Sequence, residues 1–499
     1  MVAIKMYFLK NLVLLRHCLN AVVLTFLLAS SVLASPWISV GETRLKQHLH
    51  LLNDTGVIAV SLTTWPVMWA DVEKALKTVD EYSLNLAQKN ALRELRFELG
   101  YQTKKEMKRS LEISAASSRT LFRDFDSKQY EKGRISHHFD WDGETMAFKL
   151  QANLSTDPGD DTFESQLYGS YIAGVMGEWV LGVGAIDRWW GAGNQSSLIL
   201  TNNARPVPGL FFRTKQSQQF ETPLLSWLGD WHFVSFIGQL EGSRVIPEAK
   251  LTGMRFTFQP FDDLEIGLSR AMMWGGDGRK ENLSAFWKSL TSQGENEIGS
   301  DSGNQLAGYD LRYRLLNKAE FGFSAYAQLI GEDEAGYLPA KFMAQFGLES
   351  NIALASGNNL NSFIEYTNTT AGALGSAQPN VAYGHSQYQT GYRHRGRSLG
   401  ATYDNDTKVI ALGLSHHQLK SAQSISAVVS YMQLNTDGAV GSNTVSAAAI
   451  DLYQLSLAYQ RLAFGGNLRL GLNYLSELPV LLEDEFEEFS VSAAWMYRF

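Results

Sequence analysis

The sequence predicts an all-β transmembrane protein, an antiparallel β-barrel of about eighteen strands that follows an α-helical region. Three observations predict this fold class. Apolar and polar residues alternate from about His137 to the C terminus, the last strand ends on an aromatic residue, and the N terminus has the pattern of a secretory signal.

The C terminus carries the clearest strand pattern. Val491, Ala493, Trp495, Tyr497 and Phe499 occupy every second position, which is the period of a strand with one apolar face. A chain that ends on such a strand resembles the C-terminal signature of bacterial outer-membrane β-barrels. We therefore predict that Trp495, Tyr497 and Phe499 form an assembly signal for the barrel-assembly machinery. The apolar face is expected to contact outer-membrane lipid and lipopolysaccharide.

The N terminus predicts export. Basic residues, Lys5, Lys10 and Arg16, precede the apolar run 21–28, and small residues follow up to Ala34. This pattern is typical of a signal peptide over residues 1–34. The single cysteine, Cys18, lies inside it, so the exported chain is expected to lack any thiolate site.

Composition narrows the function classes. The net charge of −8 argues against a nucleic-acid partner. After residue 34 no apolar run approaches the ~20 residues that a membrane-spanning helix needs. Aromatic residues at 12% and 43 glycines favour a barrel with interfacial girdles and tight turns.

Residues 35–130 are predicted to form a periplasmic helical region and connector, and residues 131–499 the barrel. Leu45, Leu49 and Leu52 share one helical face, and Asn53 to Gly56 is a helix-stop signal. A second helix is predicted to start at Thr64-Trp-Pro66, and a third to cover 84–99. Residues 109–130 are interpreted as the connector.

Period-two segments from residue 137 onward predict the barrel strands, and their even number is typical of single-chain outer-membrane barrels. The predicted strands are 137–154, 163–175, 178–187, 209–221, 231–242, 249–258, 263–273, 305–316, 319–330, 342–354, 358–367, 385–393, 397–403, 408–417, 422–434, 450–463, 466–477 and 489–499.

The predicted connections are strongly asymmetric. One set is mostly short, such as Met176-Gly177 and Phe464-Gly465, whereas the other set includes 188–208 and 274–304, with 331–341, 368–384 and 435–449. Outer-membrane barrels have short periplasmic turns and long external loops. We therefore expect the N-terminal region in the periplasm and the long loops on the cell surface.

One long composite motif resembles a known family. Residues 184–209 read GAIDRWWGAGNQSSLILTNNARPVPG. This segment resembles the hallmark of the outer-membrane capsule assembly protein family Wzi, in which a Trp-Trp-Gly element leads into a Ser-Leu-Ile-Leu-Ser-Asn-Asn-Ala-Arg-Pro run. Thr201 replaces one of those serines. Segments 63–69, 274–279 and 392–400 look similar to the same family, so the resemblance covers nearly the whole exported chain.

The resemblance implies an eighteen-stranded barrel with a periplasmic helical bundle at its inner mouth. It also implies a lectin-like, non-catalytic role, in which the protein attaches capsular or extracellular polysaccharide to the bacterial surface. The alternative is a porin-like channel for oligosaccharides or other solutes, because barrels of 16–18 strands can enclose an aqueous pore.

Candidate polysaccharide-binding residues lie in the motif and in the longest loop. Indole faces can stack on sugar rings, and amide, carboxylate and guanidinium groups can bind hydroxyls and acidic sugars. The same tryptophans could instead be girdle or packing residues, and the polar side chains could pin a folded loop. The candidates are Asp187, Arg188, Trp189, Trp190, Asn194, Gln195, Asn202, Asn203, Arg205, Trp274 and Arg279.

Other patterns point away from catalysis and cofactors. A basic cluster, Arg393 to Arg397, is expected near a periplasmic turn, where it faces the lumen or binds an acidic polysaccharide. The pairs His137-His138 and His416-His417 point to opposite faces of a strand and do not predict a metal site. Motifs for hydrolases, zinc proteases and nucleotide binding are lacking in the sequence, so we predict no enzyme activity and no cofactor.

Overall fold

The computed structural model describes residues 37–157, 165–291, 303–335, 338–440, 443–480 and 486–499. The predicted signal peptide, residues 1–34, lies outside these ranges. Among the helices of the described residues, none is long and apolar enough to cross a membrane.

Within the described residues, eighteen antiparallel strands close into one barrel, which confirms the predicted fold class. The fourth strand is interrupted, and both of its segments pair with the third. The strands are β1 (Lys108–Ala116), β2 (Gly133–Asp142), β3 (Met146–Thr156), β4 (Ser165–Gln166 with Tyr171–Met176), β5 (Trp179–Gly184), β6 (Gly209–Thr214), β7 (Asp230–Gln239), β8 (Lys250–Phe261), β9 (Leu264–Trp274), β10 (Asn304–Lys318), β11 (Phe321–Ala335), β12 (Leu338–Ala353), β13 (Asn359–Asn368), β14 (Lys408–Gln418), β15 (Gln423–Leu434), β16 (Ile450–Ala463), β17 (Gly466–Leu475) and β18 (Phe489–Arg498).

The strand number is right although individual assignments were wrong. The predicted strand 137–154 is really β2 and β3, joined by a turn at 143–145, and β1 lies in the segment interpreted as a connector. Segments 385–393 and 397–403 are not barrel strands. They belong to the loop between β13 and β14, which holds only a two-residue hairpin, Arg393–His394 with Arg397–Ser398. Two strands were missed and two were wrongly predicted, so the total of eighteen agrees with the structure.

Alternation along the strands places polar side chains in the lumen and apolar ones outside. On β14, Ile410, Leu412 and Leu414 are 50–58% exposed on the outer face, whereas the inner face of β13 buries Asn361, Glu365 and Thr367. The barrel closes where β18 pairs with β1, with Trp495 opposite Ile113. Trp495, Tyr497 and Phe499 follow one another on the outer face of β18, with rings 5.7 and 5.0 Å apart. Their role as an assembly signal stays a prediction.

The two mouths of the barrel differ in their connections. Short turns join strands at one end, here called the short-turn mouth. In the turn at 464–465 both residues have positive φ, and the second residue is a glycine, which adopts this conformation readily. Long connections gather at the other end, here called the loop mouth. The predicted loop 331–341 is an exception, because β11 continues to Ala335 and β12 starts at Leu338.

Three helices precede the barrel: α1 (Thr43–Asp54), α2 (Trp69–Lys77) and α3 (Leu86–Gln102). Helix α2 starts at Trp69, later than predicted. Helix α3 is tied to the short-turn mouth, because Gln88 donates to the Ala319 carbonyl (2.9 Å) and Asn90 to the Gly357 carbonyl (3.0 Å). Residues 37–102, here called the N-terminal plug, thus occupy the barrel from that end. A fourth helix, α4 (Leu283–Leu290), lies between β9 and β10.

Candidate functional site

Two long connections at the loop mouth fold onto each other. We call residues 185–208 and 369–407 the loop cap. The Tyr383 hydroxyl donates to the Leu198 carbonyl (2.7 Å), and the Tyr392 hydroxyl donates to the Ile199 carbonyl (3.0 Å). Leu198, Ile199 and both tyrosines are at most 1% exposed, in one apolar cluster with wall residues such as Ile330. The mouth is therefore filled by packed protein.

Trp189 and Trp190 lie at the point where the loop cap meets the N-terminal plug. They pair as a short antiparallel ladder with Trp65 and Thr64. Trp189 is fully buried and Trp190 is 1% exposed. Phe125 lies edge-on to both Trp65 and Trp189, at 4.9 and 5.5 Å. This placement matches the packing interpretation of the two indoles, because neither offers a free face for stacking.

Asn194 and Gln195 are held by a carboxylate of the barrel wall. Their backbone N–H groups donate to Glu365 on β13, at 2.7 and 3.3 Å. The Gln328 amide on β11 donates to the Trp190 carbonyl (2.8 Å). Lumen-facing side chains of the wall therefore fix the loop cap by its backbone.

The N-terminal plug is anchored to the wall by a second set of charges. Arg255 forms a buried, two-pronged ion pair with Asp310 and also donates to Thr63 and Thr64. Glu265 accepts from the backbone of Leu62 at 3.0 Å. These wall residues are functional in the sense that they set the position of the plug. Sequence reasoning missed them, although charged residues on a predicted lumen face were a usable signal.

A carboxylate cluster inside the lumen is paired with the side chain of an arginine. Ligand-type atoms of His50, Asp54 and Glu349 lie within 4.8 Å of one another. The guanidinium of Arg312 donates to Asp54 (2.7 Å) and to Glu349 (3.2 Å). Arg312 thus supplies the positive charge that a metal ion would bring to these carboxylates, and it ties α1 to β10 and β12.

Asp187, Asn202 and Arg205 border a lumen cavity of about 200 Å³. The Tyr130 hydroxyl lies 2.9 Å from the Asn202 carbonyl and 3.4 Å from Asp187. Arg205 donates to Gln166 at 3.0 Å. Burial raises the pKa of Asp187 above its usual range, and the charge of Arg123 offsets part of this rise. The three residues form a polar lining, with charged and aromatic groups close together.

Arg188 and Asn203 are also turned inward. Arg188 lies over the Phe236 ring at 4.1 Å, and burial lowers the pKa of its guanidinium to about 9. The Asn203 amide donates to the Ser398 carbonyl (3.0 Å), and its oxygen accepts from Arg397 (3.2 Å). Asn203 therefore joins the two halves of the loop cap.

The two candidates from the predicted loop 274–304 are separated from the others. Trp274 packs on the outer face of the wall, where its indole N–H donates to Thr252 (3.0 Å). Arg279 is half-buried beside the loop cap; it donates to Gln387 (2.7 Å) and lies 4.8 Å from the centre of the Tyr388 ring. The predicted residues are thus spread over several places and do not form one pocket.

The basic cluster 393–397 lies at the opposite mouth from the one expected. Its two-residue hairpin is part of the loop cap and does not border a short turn. Arg393 is bound by Asp404 in a two-pronged ion pair (both 2.9 Å), and the ring of His394 pairs with Glu241. At the tip of the hairpin, between His394 and Arg397, Arg395 is half-buried and Gly396 is exposed. Arg397, which follows the tip, is also half-buried. The hairpin tip is therefore a cationic surface at the loop mouth, whereas the sequence pattern predicted it near a periplasmic turn.

Comparisons with known proteins agree with this architecture. A sequence profile of the family described as "Capsule assembly protein Wzi" matches residues 102–487. A Klebsiella pneumoniae protein, described as an uncharacterized 55.8 kDa protein in the cps region, is 32% identical over 322 residues. That match covers 62% of this chain and 61% of the relative, so the chain spans less than two thirds of the relative's length.

A solved structure is similar over nearly the whole chain. It is Wzi of Escherichia coli, described as an outer membrane protein involved in group 1 capsule assembly and as a carbohydrate-binding β-barrel. The TM-score is 0.82 at 26% identity, over 94% of this chain and 100% of that one. With the profile match across most of the barrel, these findings show that this outer-membrane β-barrel belongs to the capsule assembly protein Wzi family.

Proposed function

We propose that this protein holds capsular or related extracellular polysaccharide on the bacterial surface as a lectin-like anchor. The observation that carries the proposal is the direct contact between loop cap and N-terminal plug at Trp189–Trp190 and Thr64–Trp65. A lumen filled from both ends suits a static binding surface better than a solute pathway. Carbohydrate binding by the E. coli relative supports the same reading.

The proposed orientation places the loop mouth outside the cell and the N-terminal plug in the periplasm. The support is the asymmetry of the connections, because short periplasmic turns and long external loops are typical of these barrels. In this orientation the loop cap faces the polymer, and the terminal strand β18 ends on the periplasmic side, where the barrel-assembly machinery acts.

The proposed glycan contact is the exposed part of the loop cap. Arg395 and Arg397 at the hairpin tip, with Arg279 beside the loop cap, place three cations within one mouth. Guanidinium groups bind carboxylates in a planar, two-pronged geometry, which suits acidic sugars. A long polymer offers many identical repeats, so weak single contacts sum to firm attachment.

The buried and half-buried motif residues act through the shape of the loop cap. We assign Arg188, Trp189, Trp190, Asn194, Gln195 and Asn203 to positioning the cap, and Asp187, Asn202 and Arg205 to the polar cavity beneath it. This division follows the burial and the hydrogen bonds described above. The proposed activity is non-covalent, so it requires no catalytic group and no cofactor.

The test uses the full-length barrel in lipid nanodiscs and an acidic capsular polysaccharide. Arg395→Ala should weaken polymer binding and reduce its salt dependence, because one surface cation is lost. Arg93→Ala is the matched control, since Arg93 is an exposed arginine on α3, which is tied to the short-turn mouth. Equal binding by both variants and the unchanged protein would refute the assignment of Arg395.

A further inference from the structure

Two residues on the outer wall are buried where lipid-facing residues should be exposed. On β9, Glu265 reaches the N-terminal plug and so points inward, whereas Leu268 points outward and is 46% exposed. The pairing of β9 with β10 is regular from Leu264 to Met273, so Met272 and Trp274 also point outward. They are nevertheless only 1% and 6% exposed. Something covers the outside of the wall at this place.

The cover is helix α4. Its Phe286 ring meets Trp274 edge-on at 5.6 Å. Ala285 and Ser289, one turn apart, form its buried face. A Cβ on Gly303, at the start of β10, would lie 3.2 Å from the Ser289 hydroxyl. The helix therefore lies against the outer face of β9 and β10 and is not part of the loop cap.

The helix lies at the level where the wall changes from apolar to polar. Leu268 pairs with Phe256 on one side and with Tyr309 on the other, and this rung is apolar. The next outward-facing rungs toward the loop mouth contain Arg270, then Gln305 beside Met272, and Lys250 beside Trp274. Such a change marks the boundary between hydrocarbon and headgroups in a membrane barrel.

The side of α4 that faces away from the wall is apolar and carries one exposed lysine. Leu283 and Trp287 are four residues apart on one helical edge, and they are 70% and 53% exposed. Lys288 is exposed next to them, whereas Glu281 is already paired with Lys250 at 2.9 Å. An apolar edge with tryptophan and flanking cations is typical of helices that lie in a membrane interface.

We propose that α4 is an interfacial helix, which inserts Leu283 and Trp287 into the leaflet at the loop mouth and places Lys288 at lipid phosphates. The occupant is lipid because the helix lies just beyond the apolar, lipid-facing rung of Leu268, and its own outer edge is apolar. This inference rests on the orientation given under the proposed function, in which the loop mouth lies outside the cell. The lipid is then an anionic, phosphorylated glycolipid of the outer leaflet. The site would fix the barrel's depth and rotation beneath the polymer.

Single nitroxide labels test the lipid contact. The single cysteine of the sequence, Cys18, lies in the predicted signal peptide, so Leu283→Cys and Trp287→Cys each give one label site in the exported chain. Leu412→Cys is the lipid-facing reference at 58% exposure, and Val440→Cys is the aqueous reference at 86%. In phosphatidylcholine vesicles, labels at 283 and 287 should show an oxygen-to-nickel collision ratio several-fold above that of 440 and close to that of 412. Ratios like that of 440 would overturn the proposal.

The phosphate contact is tested by adding lipid A to the same vesicles. Lipid A should further immobilise the label at 287, and Lys288→Glu should abolish that increase. An equal spectrum with and without lipid A would overturn the headgroup assignment. Neither measurement involves polysaccharide, so failure here is distinguishable from failure of the anchoring function.

Discussion

At the scale of single residues, burial decides between two uses of the same side chain. Trp189 and Trp190 could stack on sugars or pack inside the protein, and the sequence alone left both readings open. Their pairing with Thr64 and Trp65 places them inside the contact between loop cap and plug. An aromatic residue without an exposed face contributes by packing, so we expect these two indoles to stabilise the loop cap rather than to stack on a sugar.

Trp190→Ala should therefore cost stability. Removing a fully buried tryptophan typically costs about 3–5 kcal/mol through lost burial and the resulting cavity. The urea midpoint of the barrel folded into vesicles should fall clearly. Trp227→Ala is the matched control, because Trp227 is 61% exposed. Equal shifts for the two variants would contradict the packing role of Trp190.

At the scale of elements, the sequence predicted strands well where the outer face is continuously apolar and poorly elsewhere. Strand β1 was missed because its outer face has few large apolar residues. Its inner, buried face consists of Lys108, Ser110, Glu112 and Ser114. The false strands arose because the apolar residues of 385–403 serve a different core. Tyr388, Tyr392 and Leu399 pack within the loop cap, where period two is not required.

The site was predicted only in part for the same reason. The residues of the motif 184–209 lie together at the loop mouth, and their part in glycan binding stays a prediction. Its partners come from distant strands, such as Glu365 and Gln328, whose register depends on tertiary pairing. Arg395 was placed at the wrong mouth because the segment around it was interpreted as two strands.

The loop cap should loosen as the pH rises. Burial raises the pKa of Asp406 to about 6 from the usual 3.8, despite the hydrogen bond that the Asn380 N–H donates to it; Asp437 and Asp404 add to the rise. Between these values the folded cap binds a proton that the unfolded segment lacks, so stability falls with rising pH.

Hydrogen exchange measures this effect. Protection factors of cap amides, corrected for intrinsic rates, should drop as the pH rises from about 4 to above 6, and Asp406→Asn should flatten the profile. A profile that is equally steep in Asp406→Asn would assign the pH dependence to other groups.

At the scale of the whole molecule, the barrel is a scaffold that joins two inward-folded segments. Barrels of 16–18 strands can enclose an aqueous channel. Here the N-terminal plug enters from the short-turn mouth and the loop cap from the other, and the wall charges Arg255, Arg312 and Glu365 hold them. The structure thus presents a fixed surface at one mouth.

Planar bilayer recordings test the filled lumen. The full-length protein should give no large, steady open channel. Replacing residues 383–400 by a short flexible linker removes Tyr383, Tyr392 and Leu399 from the cap and should raise the conductance. Steady porin-like openings of the unchanged protein would favour the alternative, a channel for oligosaccharides or other solutes.

The most direct test of the anchoring function compares cell-associated with shed polysaccharide in a deletion strain and its complemented parent. We expect total polymer to stay constant while a large share moves into the medium, and we expect complementation to return it to the cell. Unchanged attachment in the deletion strain would contradict the proposal that this barrel holds the polymer on the surface.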